Sequence, residues 1–328
     1  MTVEITSGAS AQTPAAPWRR RLAPIGFAVF VAALPLITSA DMSAFVVTLG
    51  SRMMLFAIAA LSLDLILGYA GMVSFGHAAF IGLGAYTAGI LDAEGFGDVT
   101  IGLPLALGVS ALFAAATGYI SIRTKGAAFL MITLAFGEMA FYLANSLDEF
   151  GGSDGLTLND RATVAGADLL SSDLTFYYVI LACLVLVFLF LQAVVASRFG
   201  RVLQGTKEHP MRMAALGYNV ERIRLTAYVI AGTICGLAGY LMANQTEFIS
   251  PELMTWQTSG ALMFMVILGG MATLYGPVLG AIAIIGLENV LSGYYEHWPL
   301  LLGGIYLLAA LFARGGVVKL MFRDARHD

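Results

Sequence analysis

Long runs without a charged residue are the feature that most limits how this chain can fold. Leu174–Ser197 has 24 such residues, and Val99–Ile122 and Leu225–Thr246 are of the same kind. A helix needs about 20 apolar residues to cross a bilayer. Charged residues make up only 12% of the chain, against about 25% in soluble domains. We therefore predict an all-α polytopic membrane protein, which excludes a soluble enzyme, a disordered protein, a nucleic-acid binder and a disulfide scaffold.

The apolar runs predict about ten transmembrane helices, some of them interrupted or short. Leu253–Leu287 has 35 residues without a charge and is too long for one span. We divide it at Gly269-Gly270 and Gly276-Pro277 and expect the second part to be the short one. Eight spans plus a re-entrant hairpin are an alternative. The predicted spans are 22–40, 51–67, 72–91, 99–122, 126–147, 174–197, 225–246, 257–275, 277–291 and 298–313.

The distribution of Lys and Arg predicts that both termini are cytoplasmic. With the N-terminus inside and ten crossings, 15 of the 17 basic residues fall inside, and only Arg52 and Arg161 fall outside. We accordingly expect a disordered cytoplasmic N-terminus at 1–21, a transmembrane domain at 22–313 and a basic cytoplasmic tail at 314–328. Residues 22–40 follow three arginines and are interpreted as a retained anchor rather than a signal peptide.

The sequence contains no recognisable catalytic or nucleotide-binding set. His77, His209, His297 and His327 are scattered without metal-ligand spacing. The stretch 200–207 partly resembles a phosphate-binding loop, but it has Thr before Lys where that loop needs Lys before Ser or Thr. We therefore expect no catalysis and no cofactor or metal in this chain, so that any use of ATP and Mg falls to a partner.

Two membrane segments are candidates for a substrate pathway. The glycine-rich segment 65–86 contains Tyr69, Ser74 and His77. Non-helical backbone at membrane depth survives only where protein or a water-filled cavity satisfies it, so these side chains either face a pathway or belong to close helix packing. Glu138 lies inside another span, where an acidic residue costs about 2.5–3.5 kcal/mol on insertion scales and usually faces the bundle interior. Asp64 and Glu288 pose the same question more weakly, being nearer the ends of their spans.

Two loops are candidates for contact with soluble partners. The inside loop 197–224 is basic and predicts a short helix over 210–216, begun by Pro210 and ended by Gly217. It either meets anionic lipid or inserts into a cytoplasmic partner. The outside loop 148–173 is acidic and is either simply solvated or a docking surface for a soluble protein.

These segments resemble the permeases of branched-chain amino-acid ABC transporters, of the LivM type. The resemblance covers roughly residues 50–315. The stretches that carry it are LILGYAGMVSFGHAAFIGLGAY at 65–86, TKGAAFLMITLAFGEM at 124–139, GGSDGL at 151–156, FGRVLQGTKEHPMRMAALGYNVERIRLTAYVIAG at 199–232, SP at 250–251 and VILGGMATLYGPVLGA at 266–281.

The resemblance implies the permease fold of an ABC importer in the bacterial inner membrane. It implies a second, related permease as a heterodimer partner, two cytoplasmic ATP-binding subunits and a periplasmic solute-binding protein that delivers amino acids. The passage would lie between the two permeases. The loop 197–224 would contact the ATPase, and its glutamate-alanine-alanine pattern is loose here. The residues that correspond to the coupling segment are Glu208, Met213, Ala214, Ala215 and Gly217.

Other functions are possible for a chain of this composition. A proton- or ion-coupled secondary transporter would work through Glu138. A channel-like or structural subunit would show passive flux or none, and a membrane enzyme would need a clustered His, Asp or Glu set. The basic inside loop and the acidic outside loop favour the ABC permease, because they suit one soluble partner on each side.

Overall fold

The computed structural model describes residues 40–158, 161–163, 166–167, 170–294 and 297–312. The predicted anchor 22–40, except its last residue, the tail 314–328, Asp160 and Asp168 lie outside the described residues. The chain divides into two compact units, Met1–Val46 and Val47–Asp328. Only the beginning of the first helix is described in the first unit, and everything below concerns the second.

The described chain is mainly helical. The helices are α1 (Ala40–Asp64), α2 (Ala78–Ala93), α3 (Val99–Ser121), α4 (Ala127–Asn145), α5 (Asp173–Ala196), α6 (Arg198–Glu208), α7 (Pro210–Ala215), α8 (Val220–Thr246), α9 (Trp256–Gly269), α10 (Tyr275–Tyr294) and α11 (Trp298–Phe312). A π-helical turn, Leu65–Tyr69, continues α1. Short 3₁₀ turns occupy Asp148–Phe150, Gly152–Asp154 and Pro251–Met254, and the two strands are β1 (Leu156–Thr157) and β2 (Phe248–Ile249).

Six of the described helical segments are long and apolar enough to cross a membrane, which agrees with a polytopic permease. They are Ala44–Tyr69, Val99–Ser121, Ala127–Asn145, Asp173–Ala196, Val220–Thr246 and Tyr275–Tyr294. Three further apolar helices, at Ala78–Ala93, Trp256–Gly269 and Trp298–Leu307, are shorter. The count of ten spans stays a prediction.

The long run 253–287 is interrupted where its glycines predicted, but the second part is not the short one. Helix α9 has 14 residues and ends at Gly269, whereas α10 has 20 residues. The 3₁₀ turn Pro251–Met254 takes up the beginning of the first part. At the other end, α10 continues past Glu288, which pairs with Arg52 at 3.0 Å.

Helices α2, α3 and α8 form the centre of the described fold through contacts that require small residues. Added Cβ atoms at Gly84 and Gly239 would overlap the backbone of Gly236 and of Ile81, respectively. A Cβ at Gly236 would likewise overlap the Ser110 side chain on α3. Small residues allow helix backbones to approach this closely. Although α2 has only 16 residues, 11 of them are buried.

A two-stranded antiparallel sheet covers the C-terminal end of α2. Leu156 pairs with Ile249 and Thr157 with Phe248, although the strands are far apart in the chain. Ile249 is fully buried. A Cβ at Gly89 would lie 2.6 Å from Ile249 Cδ1 and 2.7 Å from Leu156 Cδ2, so both strands rest on α2. This sheet therefore ties the predicted outside loop to the helical core.

Candidate functional site: a helix break and a coupling loop

The glycine-rich segment predicted from the sequence is a break between α1 and α2. We call residues 65–77 the helix break. It begins with the π-helical turn, continues through Gly71 at a φ of +70°, and returns to helix at Ala78. The predicted span 72–91 therefore starts later than expected, because its first six residues are not α-helical. Every residue of the π-helical turn is buried.

Side chains from other elements satisfy backbone groups at both ends of the break. The Ala78 amide donates to Ser259 Oγ on α9 at 2.9 Å. Lys207 Nζ on α6 donates to the Gly68 carbonyl at 2.7 Å. The Cys235 thiol lies 3.5 Å from the His77 carbonyl, within hydrogen-bonding range for sulfur. These contacts are the protein environment that irregular backbone needs at membrane depth.

Tyr69, Ser74 and His77 all lie in the break, and all three are buried. His77 Nε2 lies 2.9 Å from Ser62 Oγ, whose hydroxyl donates to the Ala59 carbonyl at 2.7 Å. Because that hydroxyl hydrogen is already used, we assign the His77 proton to Nε2, which then donates to Ser62. His77 thus has a hydrogen-bond partner within the protein in this conformation. The pathway role of the three residues stays a prediction.

Glu138 lies beside the break but on the outer side of α4. Its neighbour Gly137 packs against Gly76, where an added Cβ would lie 3.0 Å from the Gly76 Cα. Glu138 is half-buried near the middle of the 19-residue helix, and Met131 and Tyr142 on the same side are exposed. Within the part of the chain that the structure describes, no hydrogen bond or ion pair is seen for its carboxylate. A carboxylate at this depth needs protein or water around it.

The predicted coupling loop is almost entirely helical. Helices α6 and α7 are joined at His209, and α7 matches the helix expected from Pro210. Gly217 adopts a φ of +87°, and its amide closes the end of α7 on the Ala214 carbonyl at 2.9 Å. Asn219 then caps α8 by accepting from the Arg222 amide at 3.0 Å. Pro210 and Gly217 therefore begin and end the helix as their positions predicted.

The surface of α7 is exposed and carries apolar side chains. Met211 is 82% exposed and Leu216 is 67% exposed. Glu208, Ala214, Ala215 and Gly217 are exposed as well, and only Met213 among the predicted coupling residues is half-buried. Met213 is the inner contact, since a Cβ at Gly205 would lie 2.8 Å from its sulfur.

The predicted outside loop is fastened by one arginine. Arg161 forms ion pairs with Asp173 and, at 3.0 Å, with Glu247, and its guanidinium lies 5.4 Å from the centre of the Phe176 ring. The remaining described acidic residues of the loop, Asp148, Glu149 and Asp154, are exposed. Arg161 therefore anchors its part of the loop to the start of α5 and the end of α8, and the loop carries three exposed carboxylates.

Sequence reasoning underrated two residues that connect these parts. Asp64 is fully buried and accepts a hydrogen bond from the Ala272 amide at 2.9 Å. From the sequence alone, Lys207 is only one of the basic residues of the loop 197–224. The available signal was the pair Asp64 and Gly68, an acidic residue followed one turn later by a glycine that gives access to it.

Comparison with known proteins gives the family of this chain. Residues 45–311 match the family described as branched-chain amino acid transport system / permease component. The chain belongs to this family. It is 28% identical to the high-affinity branched-chain amino acid transport system permease protein LivM of Salmonella typhimurium (strain LT2). The alignment covers 84% of this chain and 70% of that protein. It is 26% identical to LivM of Escherichia coli (strain K12), covering 92% of this chain and 76% of that protein.

Other relatives are named for different substrates. The fructose import permease protein FrcC of Rhizobium meliloti is 26% identical over 62% of this chain and 59% of its own length. No solved structure matches the chain. The relatives are named as permease proteins of transport systems, which are not catalytic. This chain is a membrane-embedded transport permease.

Proposed function

We propose that this chain is one permease subunit of an ATP-driven importer in the bacterial inner membrane. The observation that carries the proposal is α7, a short exposed helix with apolar side chains that follows α6, which is itself bonded to the helix break and to α8. Such a helix suits insertion into a partner rather than contact with water. The chain brings no nucleotide motif of its own, so the partners would be two ATP-binding subunits that use ATP and Mg.

The second proposed partner is a related permease, with a passage between the two subunits. The support is Glu138, whose half-buried carboxylate near the middle of α4 is a poor group to expose to lipid. A second permease placed against this side of α4 would remove Glu138 from lipid and would place it on the passage. In this arrangement ten spans per subunit, with both termini cytoplasmic, stay our proposed topology.

The third proposed partner is a periplasmic solute-binding protein. The support is the exposed carboxylates Asp148, Glu149 and Asp154 of the loop 148–173, on the side that the charge distribution predicts to be outside. We propose amino acids, branched-chain or related small organic solutes, as the substrates. The support is that the two relatives named for branched-chain amino acids cover more of this chain than the fructose permease does.

The direct test is uptake by proteoliposomes that contain this permease, the paired permease, both ATPases and the binding protein encoded beside them. We expect uptake of a labelled branched-chain amino acid that needs ATP inside the vesicle and the binding protein outside it. It should survive an ionophore that abolishes proton and sodium gradients. Uptake that persists without ATP and disappears with the ionophore would instead establish the secondary transporter.

A further inference from the structure

The last turn of α6 reaches from the coupling loop into the helix break. Lys207 Nζ donates to the Gly68 carbonyl at 2.7 Å, although the two residues are 139 positions apart in the chain. The stem of the same lysine lies on Gly71, where an added Cβ would be 2.9 Å from Lys207 Cγ. Lys207 therefore contacts both the π-helical turn and Gly71, the residue of the break that has a positive φ.

A buried carboxylate lies at the same glycine. Asp64 is fully buried, and its Oδ2 has no hydrogen-bond partner among the described residues. An added Cβ at Gly68 would overlap Asp64 Oδ1, so Asp64 and Lys207 both lie against Gly68. An unpaired buried carboxylate is costly because it has been removed from water, and Lys207 is the charged group of the coupling loop that reaches this glycine.

The same carboxylate also holds the turn between α9 and α10. Asp64 Oδ1 accepts from the Ala272 amide at 2.9 Å, and Ala272 adopts a φ of +59°, which is unusual for a residue with a side chain. A Cβ at Gly68 would overlap Asp64 Oδ1 and the Ala272 backbone, so glycine is needed for the three to meet. The break, the α9–α10 turn and α6 are thus joined at one point.

The end of α6 that carries Lys207 leads directly to the exposed helix of the coupling loop. Only His209 separates α6 from α7. The adjoining part of α6 is bonded to α8, since Arg224 donates to the Thr206 carbonyl at 2.8 Å. A displacement of α7 therefore meets no flexible linker before it reaches Lys207.

We propose that Lys207 is the positioning residue that transmits movement of the coupling loop to the helix break, with Asp64 as its counter-charge. The proposal rests on the proposed function, because it needs an ATPase to move α7. It adds the route by which that movement enters the membrane. Neither residue contacts substrate. Their effect is on the coupling between ATP hydrolysis and transport.

The test replaces Lys207 with Met, which keeps the length of the stem and removes the charged donor. In proteoliposomes with the complete importer, Lys207→Met should keep basal ATP hydrolysis within about twofold. We expect its uptake per ATP hydrolysed to fall at least tenfold. Lys207→Arg, which keeps the charge and the donor, should recover most of the coupling. Lys125→Met is the matched control, because Lys125 is an exposed residue of the α3–α4 loop on the same predicted side, and it should behave like the wild type.

A double variant covers the case in which Lys207→Met does not assemble. Asp64→Asn combined with Lys207→Met removes both charges, so it should assemble better than Lys207→Met alone. If the double variant is no better, the charge balance between the two residues is refuted. If Lys207→Met assembles and transports with the wild-type ratio of substrate to ATP, transmission through Lys207 is overturned. A wild-type complex without ATP-driven uptake would instead refute the proposed function, and this inference with it.

Discussion

The contact between α2 and α8 gives the most direct test of the described packing. A Cβ added at Gly239 would overlap the Ile81 carbonyl and lie 2.8 Å from the Ile81 Cα. Carbon atoms prefer about 3.5–4.0 Å, so one of the helices must retreat by about 1 Å. Because the contact is with backbone, no side chain can rotate away. We therefore take about 3 kcal/mol, the upper end of the usual cost of overpacking.

The control for Gly239→Ala is Gly108→Ala. Gly108 is an exposed residue of α3, and an added Cβ there meets nothing within 4 Å. Both variants gain about 1 kcal/mol of helix propensity. Gly239→Ala should therefore lose about 2 kcal/mol net, whereas Gly108→Ala should be neutral or gain up to about 1 kcal/mol. The net loss corresponds to about a 30-fold change in the unfolding equilibrium.

The measurement is unfolding of the purified permease in mixed micelles by increasing SDS, followed by circular dichroism. We expect Gly239→Ala to unfold at a clearly lower SDS fraction than the wild type, and Gly108→Ala at the same or a higher one. If the two alanine variants unfold together, the close approach of α2 and α8 is wrong. That result would also remove the reason for the small residues along α8.

Three further predictions concern the site. Gly217→Glu should insert and assemble but uncouple ATP hydrolysis from uptake, whereas Gly217→Asn should transport, because Asn tolerates the same positive φ. Normal uptake by assembled Gly217→Glu would refute docking through this loop. Ser62→Ala should lower the free energy of unfolding by about 1–3 kcal/mol, because it leaves the buried His77 donor unpaired; an unchanged SDS midpoint would contradict the assigned hydrogen bond. Glu138→Gln should reduce uptake at least tenfold in an assembled complex while exposed Glu94→Gln does not, and equal uptake by both would take Glu138 off the passage.

Much of the fold could be predicted because bilayer thickness and charge leave few choices. The run 174–197 is bounded by charges and became α5 with nearly the predicted limits. The run 253–287 was harder, because glycines mark an interruption but do not say how long each part is. In the structure, a 3₁₀ turn at Pro251–Met254 shortens the first part, and α10 continues to Tyr294, past the Glu288 that pairs with the distant Arg52.

The site could be predicted only in part, and the reason is the distance between its members along the chain. Pro210 and Gly217 act within one helix, so their spacing was enough to locate α7. Lys207 meets Gly68, and Asp64 meets Ala272, only through folding, and nothing beside these residues in the sequence indicates the partner. The sequence also does not show which polar side chains are buried. A histidine next to glycines predicts either a pathway or a packed core, and only the Ser62 contact shows which partner His77 has in this conformation.

The contacts differ in kind between the centre of the fold and the helix break, and this difference has a mechanical consequence. Where α2 meets α8, backbone contacts backbone at Gly84 and Gly239, so separating the two helices would break close packing at both positions at once. The break is instead held by separate hydrogen bonds from Lys207 and Ser259. Each such bond contributes about 0.5–1.5 kcal/mol net, or about 1.5–3 kcal/mol when one group is charged. A movement imposed on the coupling loop should therefore change the break before it separates α2 from α8.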